Sequence, residues 1–211
     1  MKTKIIKCPI TEQIQKNFTI DGDETSFEPH QLDKEQLPEN FNIGVIIGKS
    51  GSGKTILLKE FGKEQDVLWD DRAIASHFEN YEDAEQKLLA AGLGSIPTWL
   101  KPYHILSNGE KHRADLARMI DNNIVIDEFV SYVDSNASLG LCNSIQNYIR
   151  KNNITGVVVA TLNREIIDYL KPCWVYDTDK KELIINSDLY NVEIEDNKVK
   201  IKKALTFMKI N

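Results

Sequence analysis

The sequence predicts an α/β fold around a mixed, mainly parallel sheet, and three observations predict it. From Phe41 onward, short β-branched runs alternate with segments of helical period, the pattern of strands crossed over by helices and covered on both faces. GKSGSGKT, at 48–55, is a complete phosphate-loop motif placed directly after one such run. NIVIDEF, at 123–129, ends a second run in two adjacent acids.

Taken in order, residues 1–40 are polar and mixed, and short apolar alternations at 4–8 and 17–20 read as edge strands. The apolar run 41–47 (FNIGVII) reads as a buried strand, followed by a helix from Lys54 to about Lys63 and a short strand at 66–69. A helix is expected at 81–91, then a loop at 92–103 carrying Pro97 and Pro102. Helix 110–120, strand 123–126, helix 139–151, strand 156–161 and a short helix 164–170 complete the alternation. The tail, NVEIEDNKVKIKK, reads as a hairpin turning at Asp196 and Asn197, pairing Ile194 with Val199 and Glu193 with Lys200. Its lysines, Lys198, Lys200, Lys202 and Lys203, fit a solvated strand face opposite glutamates better than a nucleic-acid patch. The expected organisation is one domain over 1–180, with a helical insert at roughly 80–102, and a hairpin extension over 181–211 packed on the same domain.

Composition bounds the function. The 211 residues are 41% hydrophobic and 27% charged, enough for a full core. A net charge of −6 gives no overall electrostatic case for wrapping nucleic acid. Cys8, Cys142 and Cys173 lie far apart with no CxxC pair, which suits a reduced cytoplasmic protein and neither a disulfide framework nor a zinc site. No apolar run approaches the about 20 residues that cross a bilayer, so no direct membrane insertion is expected. The opening MKTKIIKCPITEQIQ lacks the apolar core and cleavage site of a signal peptide.

The phosphate loop carries the first chemistry. Its glycines, Gly48, Gly51 and Gly53, let the backbone curl so that N–H groups, including those of Lys49, Ser50 and Ser52, point at phosphate oxygens. Lys54 would reach the β- and γ-phosphates, and the Thr55 hydroxyl would sit on Mg²⁺. The adjacent acids carry the second. Two carboxylates at a buried strand end are costly unless a positive group occupies the site. Asp127 fits as the acid holding Mg²⁺, and Glu128 as the base that orients a water and accepts its proton. An Asn-Lys-x-Asp base-reading motif is absent, and Arg113, Arg118, Arg150 and Arg164 do not cluster into a kinase lid. Water is therefore the expected phosphoryl acceptor.

LSNGEKHRADLAR, at 106–118, adds a second anion site: Ser107, Asn108 and Gly109 open a helix, offering N–H groups, a hydroxyl and a helix dipole. Two chains facing head to tail can use it, each presenting this turn to the γ-phosphate held by the other. GKSGSGKT, LSNGEKHRADLAR and IVIDEF, in that order, resemble the Walker A, signature and Walker B motifs of ATP-binding cassette (ABC) ATPases. The usual signature is LSGGQ; Asn108 and Glu110 are departures. SYVD, at 131–134, resembles the D-loop, so the resemblance gives Asp134 a part in coupling two subunits.

The resemblance implies a P-loop ABC-type domain that binds ATP and Mg²⁺ and forms a homodimer in the ATP state. Two further departures bear on rate. The switch histidine of the family is missing from GVVVATLNREI; Leu162 or Asn163 takes its place, and counting back from Trp174 selects Asn163. The glutamine that reaches Mg²⁺ in the family has no counterpart either, and position brings His77 (or Ser76) nearest to that role. Phe18 and Phe27 are the candidates for stacking on adenine. A narrower resemblance, in PTWLKPYHILSNGEKHRADLAR, IVIDEFVSYVD and YLKPCWVYD, is to stand-alone ABC-type ATPases often fused to an acetyltransferase domain, a domain not expected here. The expected function is an ATP-hydrolysing, ATP-gated dimer in a non-transport role with an unknown protein or nucleic-acid partner. The alternatives are the ATP-binding subunit of a membrane transporter, or a clamp with little turnover.

Overall fold

Two short strands and one helix make up the first of two units, Met1–Gln31. In the computed structural model the described residues are 2–26, 28–131, 133–186, 190–195 and 198–203. Strand β1 (Lys2–Lys4) precedes helix α1 (Pro9–Phe18) and pairs antiparallel with β2 (Glu24–Ser26). This corrects the edge strands expected at 4–8 and 17–20. Ile10, Ile14 and Phe18 recur every four residues, a helical period that wins over the short alternations. The helix also has both stop signals: Cys8 and Thr11 cap its start reciprocally, Pro9 fits its first turn, and Thr19 ends it in the left-handed region at φ 52°.

The second unit, Leu32–Asn211, holds the main sheet. Strand β3 (Ile43–Ile47) runs into the phosphate loop and helix α2 (Lys54–Leu58). Helices α3 (Tyr81–Ala90), α4 (Ile96–Trp99) and α5 (Asn108–Met119) follow, the first two within the segment expected as a helical insert. Then come β4 (Val125–Ile126), α6 (Ser135–Lys151), β5 (Val157–Thr161), α7 (Ile167–Leu170), β6 (Trp174–Asp177) and β7 (Glu182–Ile185). The sheet order is β4-β5-β3-β6-β7, with the first four strands parallel and β7 antiparallel to β6. A mixed, mainly parallel sheet is the fold class the sequence anticipated.

Alternation along the strands splits the core into two layers. Ile43, Val45, Ile47, Val157 and Val159 pack on one face among residues of α3, α5 and α6. Ile46, Val158, Ala160, Trp174 and Tyr176 pack on the other with Leu57 and Leu58 of α2. Both faces are buried, so the strands read as near-continuous apolar runs.

Two expected elements are corrected here. Helix α2 stops at Leu58, not Lys63, and the chain turns so that Phe61 stacks on Trp174 at 5.3 Å between ring centres. Residues 66–69 form no strand, because their groups serve α5 instead. The Leu68 carbonyl accepts from Arg118 Nη1 at 2.6 Å, and Trp69 Nε1 donates to Asp115 Oδ1 at 2.7 Å. The terminal hairpin, β8 (Tyr190–Glu195) with β9 (Lys198–Lys203), pairs Glu193 with Lys200 and Ile194 with Val199 as expected; its turn, at 196–197, lies outside the described residues.

Candidate active site

Strand β3 delivers its last buried residue, Ile47, to a loop that only glycine-rich sequence can follow. Gly51 and Gly53 have φ of 73° and 93°, where a β-carbon is strained. At Gly48 a β-carbon would lie 1.9 Å from Thr178 Oγ1. Gly53 caps α2 without a side chain, so no capping group competes with an anion for the Lys54 and Thr55 N–H groups, while the Ile56 N–H turns back to the Gly53 carbonyl at 3.1 Å. The Lys54 ammonium folds over the loop, donating to the Gly48 carbonyl at 3.0 Å and the Lys49 carbonyl at 2.7 Å. Partial burial lowers its pKa, against the pull of Asp127, Asp179 and Glu128.

The acid turn begins where β4 ends. Thr55 Oγ1 donates to Asp127 Oδ2 at 2.6 Å, while Asp127 Oδ1 accepts the Glu128 N–H at 2.9 Å. Glu128 and Val130 both sit in the left-handed region, at φ 49° and 66°, and the latter is a costly conformation for a β-branched residue. Surrounding structure enforces it: Phe129 is fully buried, its N–H donates to the Ala160 carbonyl, and its carbonyl accepts from Thr161 Oγ1.

Sequence reading missed Glu64, whose Oε1 accepts the Asp127 N–H at 3.2 Å. Burial, with Asp127, Glu128 and Asp66 adding repulsion, raises the pKa of its carboxyl. A cavity of about 440 Å³ opens here, bordered by Glu64, Asp66, His112, Asp115, Asp127 and Glu128. The signal available was an acid soon after the helix that leaves the phosphate loop.

A second missed group comes from the end of β6. Thr178 sends both its N–H and its hydroxyl to the Ile47 carbonyl, at 2.8 and 2.9 Å. With its one proton so used, its oxygen accepts from Ser52 Oγ, 2.6 Å away. Asp179 Oδ1 accepts the Lys49 N–H at 3.2 Å. Arg164 holds Asp177 through Nη1 and Nη2, at 2.7 and 3.1 Å, and reaches Asp179 at 3.0 Å.

The LSNG turn caps α5. Ser107 Oγ accepts the Glu110 N–H at 3.3 Å, and Glu110 Oε2 accepts the Ser107 N–H at 2.9 Å. Glu110 thus completes a capping box, and these bonds hold its pKa down. Ser107 and Asn108 are exposed and Gly109 is half-buried. Asp134 is exposed and caps α6, accepting the Ala137 N–H at 3.0 Å.

Asn163 and His77 both make local contacts. Asn163 turns its Oδ1 onto the Glu165 N–H at 2.9 Å, capping a short 3₁₀ turn. His77 is not brought to the acid turn. Its ring packs edge-on against Trp69, with Nε2 2.9 Å from Asp70 Oδ1 and Nδ1 3.1 Å from the Ala73 carbonyl. Both nitrogens serve the local loop, a correction to the role position alone assigned. Of the two adenine-stacking candidates, Phe27 lies outside the described residues, and Phe18 is 72% exposed at the end of α1.

The fold and this loop define a phosphate-loop α/β domain. No protein-family model matches the sequence, and no curated protein does. Among solved structures, the chain is similar to cbiO1 of Clostridium perfringens, part of an ABC transporter complex. The identity is 15% and the TM-score 0.47, covering 68% of this chain and 75% of that one. It is also similar to the ATP-binding cassette MJ0796 in a dimeric post-hydrolysis state bound to ADP and Pi, at 14% identity and TM-score 0.49, covering 70% and 82%. At that distance the functional reading rests on the site itself. Among the described residues, no helix is long and apolar enough to cross a membrane.

Proposed function

We propose that the chain binds and hydrolyses ATP with Mg²⁺ as an ABC-type ATPase, closing head to tail on a second copy. The observation that carries the reading is the 2.6 Å bond between Thr55 and Asp127, which joins the phosphate loop to the acid turn. Two protein oxygens suit Mg²⁺, which keeps water and phosphate oxygens for its remaining positions. Thr55 and Asp127 would hold it, and when bound it neutralises charge on the phosphates.

The chain's own groups do the rest. Lys54 exchanges loop carbonyls for phosphate oxygens, and the Gly51–Gly53 turn aims N–H groups at them. Glu128, pinned by the strained turn beside Asp127, accepts the proton of the attacking water as the water oxygen bonds to the γ-phosphorus and ADP departs. Ser107, Asn108 and Gly109 would meet the γ-phosphate of the partner copy, with Asp134 at the junction between copies. The test is steady-state ATP turnover of the wild type beside Glu128→Gln, with ATP binding measured on both. If both are equally inactive while ATP still binds, the enzyme reading fails. Sedimentation of Glu128→Gln with and without ATP-Mg²⁺ tests the dimer, which is abandoned if both samples are monomers.

One observation favours a slow clamp over a fast enzyme. The residue at the switch position, Asn163, is a neutral amide: with its Oδ1 on the Glu165 N–H, its NH2 group can donate to phosphate but brings no charge. We place the clamp in a non-transport, cytoplasmic role with a protein or nucleic-acid partner; co-purification with a membrane protein would favour the transporter alternative.

A further inference from the structure

Asp179 sits where an anion is called for. Two donors from different elements converge on its carboxylate: the Lys49 N–H at the start of the phosphate loop, and Arg164 Nη2 from beyond β5. The guanidinium does not depend on Asp179 for its place. It is already forked onto Asp177, whose side chain is 4% exposed and also accepts the N–H groups of Asp179 and Lys180. Asp179, in contrast, lies on the turn between β6 and β7 with its side chain 24% exposed, so it can leave without breaking the fork.

Charge makes that departure worthwhile. Among the described residues, Asp127, Glu128 and Asp179 each pull on the Lys54 charge. The first two have work in hydrolysis. The third places a negative charge beside a loop built for phosphate, an arrangement that opposes nucleotide unless the carboxylate moves aside.

We propose that the Lys49 N–H and the Arg164 guanidinium form an anion subsite for the terminal phosphate of a nucleoside triphosphate, with Asp179 as the intramolecular competitor that fills it beforehand. The inference rests on the nucleotide reading above. Exchange of carboxylate for phosphate keeps both donors satisfied and gives Arg164 a charge-assisted partner that carries more negative charge. A diphosphate leaves Asp179 in place. The subsite therefore discriminates triphosphate from diphosphate, and it supplies near the strand end the cation that Asn163 does not.

The deciding variant is Asp179→Asn, which keeps an acceptor for the Lys49 N–H and leaves the Arg164–Asp177 fork intact. The whole chain is titrated with fluorescent ATP and ADP analogues in the presence of Mg²⁺. ATP affinity is expected to rise about 3- to 5-fold, the scale of one partly screened charge, with ADP affinity within about 2-fold of wild type. Arg164→Gln should shift the ATP-to-ADP preference the opposite way. An unchanged ratio, equal tightening of both nucleotides or weaker ATP binding in Asp179→Asn overturns the subsite. Lys54→Ala is the control for the parent reading: if it binds ATP like the wild type, the nucleotide assignment itself fails, whatever Asp179 does.

Discussion

Thr55 Oγ1 donates to Asp127 Oδ2 at 2.6 Å across 72 residues of sequence, tying the first turn of α2 to the turn after β4. A bond this short between a neutral hydroxyl and a carboxylate fixes both groups in one orientation. Thr55→Ser keeps the hydroxyl and should retain ATP turnover within about 3-fold. Thr55→Val removes it at nearly constant volume and should lower Mg²⁺-dependent turnover about 100-fold, the equivalent of roughly 2.7 kcal/mol in the barrier. Turnover measured against Mg²⁺ concentration checks this, and equal activity of the two variants would remove Thr55 from the site.

The Asp177–Arg164 pair predicts a pH dependence of stability. Hydrogen bonds from Arg164 hold the Asp177 carboxyl below its ordinary value of 3.8. A carboxyl with a depressed folded value stabilises the fold above its unfolded value and loses that contribution as pH falls through the folded one. Asp177→Asn should therefore lower the melting temperature at pH 7, and the deficit relative to wild type should shrink below about pH 3.8. A deficit that is constant from pH 7 to pH 3 would mean the charge is not what matters.

The parts legible in the sequence were those with local signals. The stretch 43–47 is apolar throughout because β3 is buried on both faces, and GKSGSGKT needs its glycines wherever it occurs. The hairpin register at Ile194 and Val199 follows from alternation around a turn. Non-local parts were not legible. Asp179 meets the phosphate loop, and Arg164 meets Asp179, only because β6 and β5 flank β3, an order set by tertiary packing and unmarked along the chain. Residues 66–69 have strand composition, yet Trp69 is claimed by Tyr103, which it stacks on at 5.0 Å, and by Arg118. His77 illustrates the same limit: its position suggested chemistry, while its neighbours make it part of that aromatic cluster.

Gly44 is held to glycine by space, not conformation. A β-carbon there would come within 2.1 Å of the Trp174 indole, itself fully buried between Phe41 and Phe61. Gly44→Ala should cost about 1–3 kcal/mol, the range for overpacking a filled core. Pairing it with Trp174→Phe, which vacates part of the indole volume, should recover some of that loss. Chemical denaturation of the four proteins measures the coupling; simple additivity would show that the two residues do not compete for the same space.

His77 separates structure from catalysis most directly. Its side chain is 5% exposed, wedged against Trp69 and bonded toward Asp70. Asp70 is in turn held at a pKa of about 2, chiefly by its hydrogen bonds with Arg72. Removing the ring leaves a hole beside Trp69, whose indole N–H fixes Asp115 at the border of the acidic cavity. His77→Ala should therefore lower the melting temperature by about 4–8 °C, corresponding to roughly 2 kcal/mol in a chain of this size. ATP turnover below the melting range should stay within about 2-fold of wild type, because neither ring nitrogen faces the acid turn. His77→Phe should restore part of the stability, since it refills the hole without replacing either polar contact. A fall in turnover shared by His77→Ala and His77→Phe, at temperatures where both are folded, would return His77 to the catalytic site.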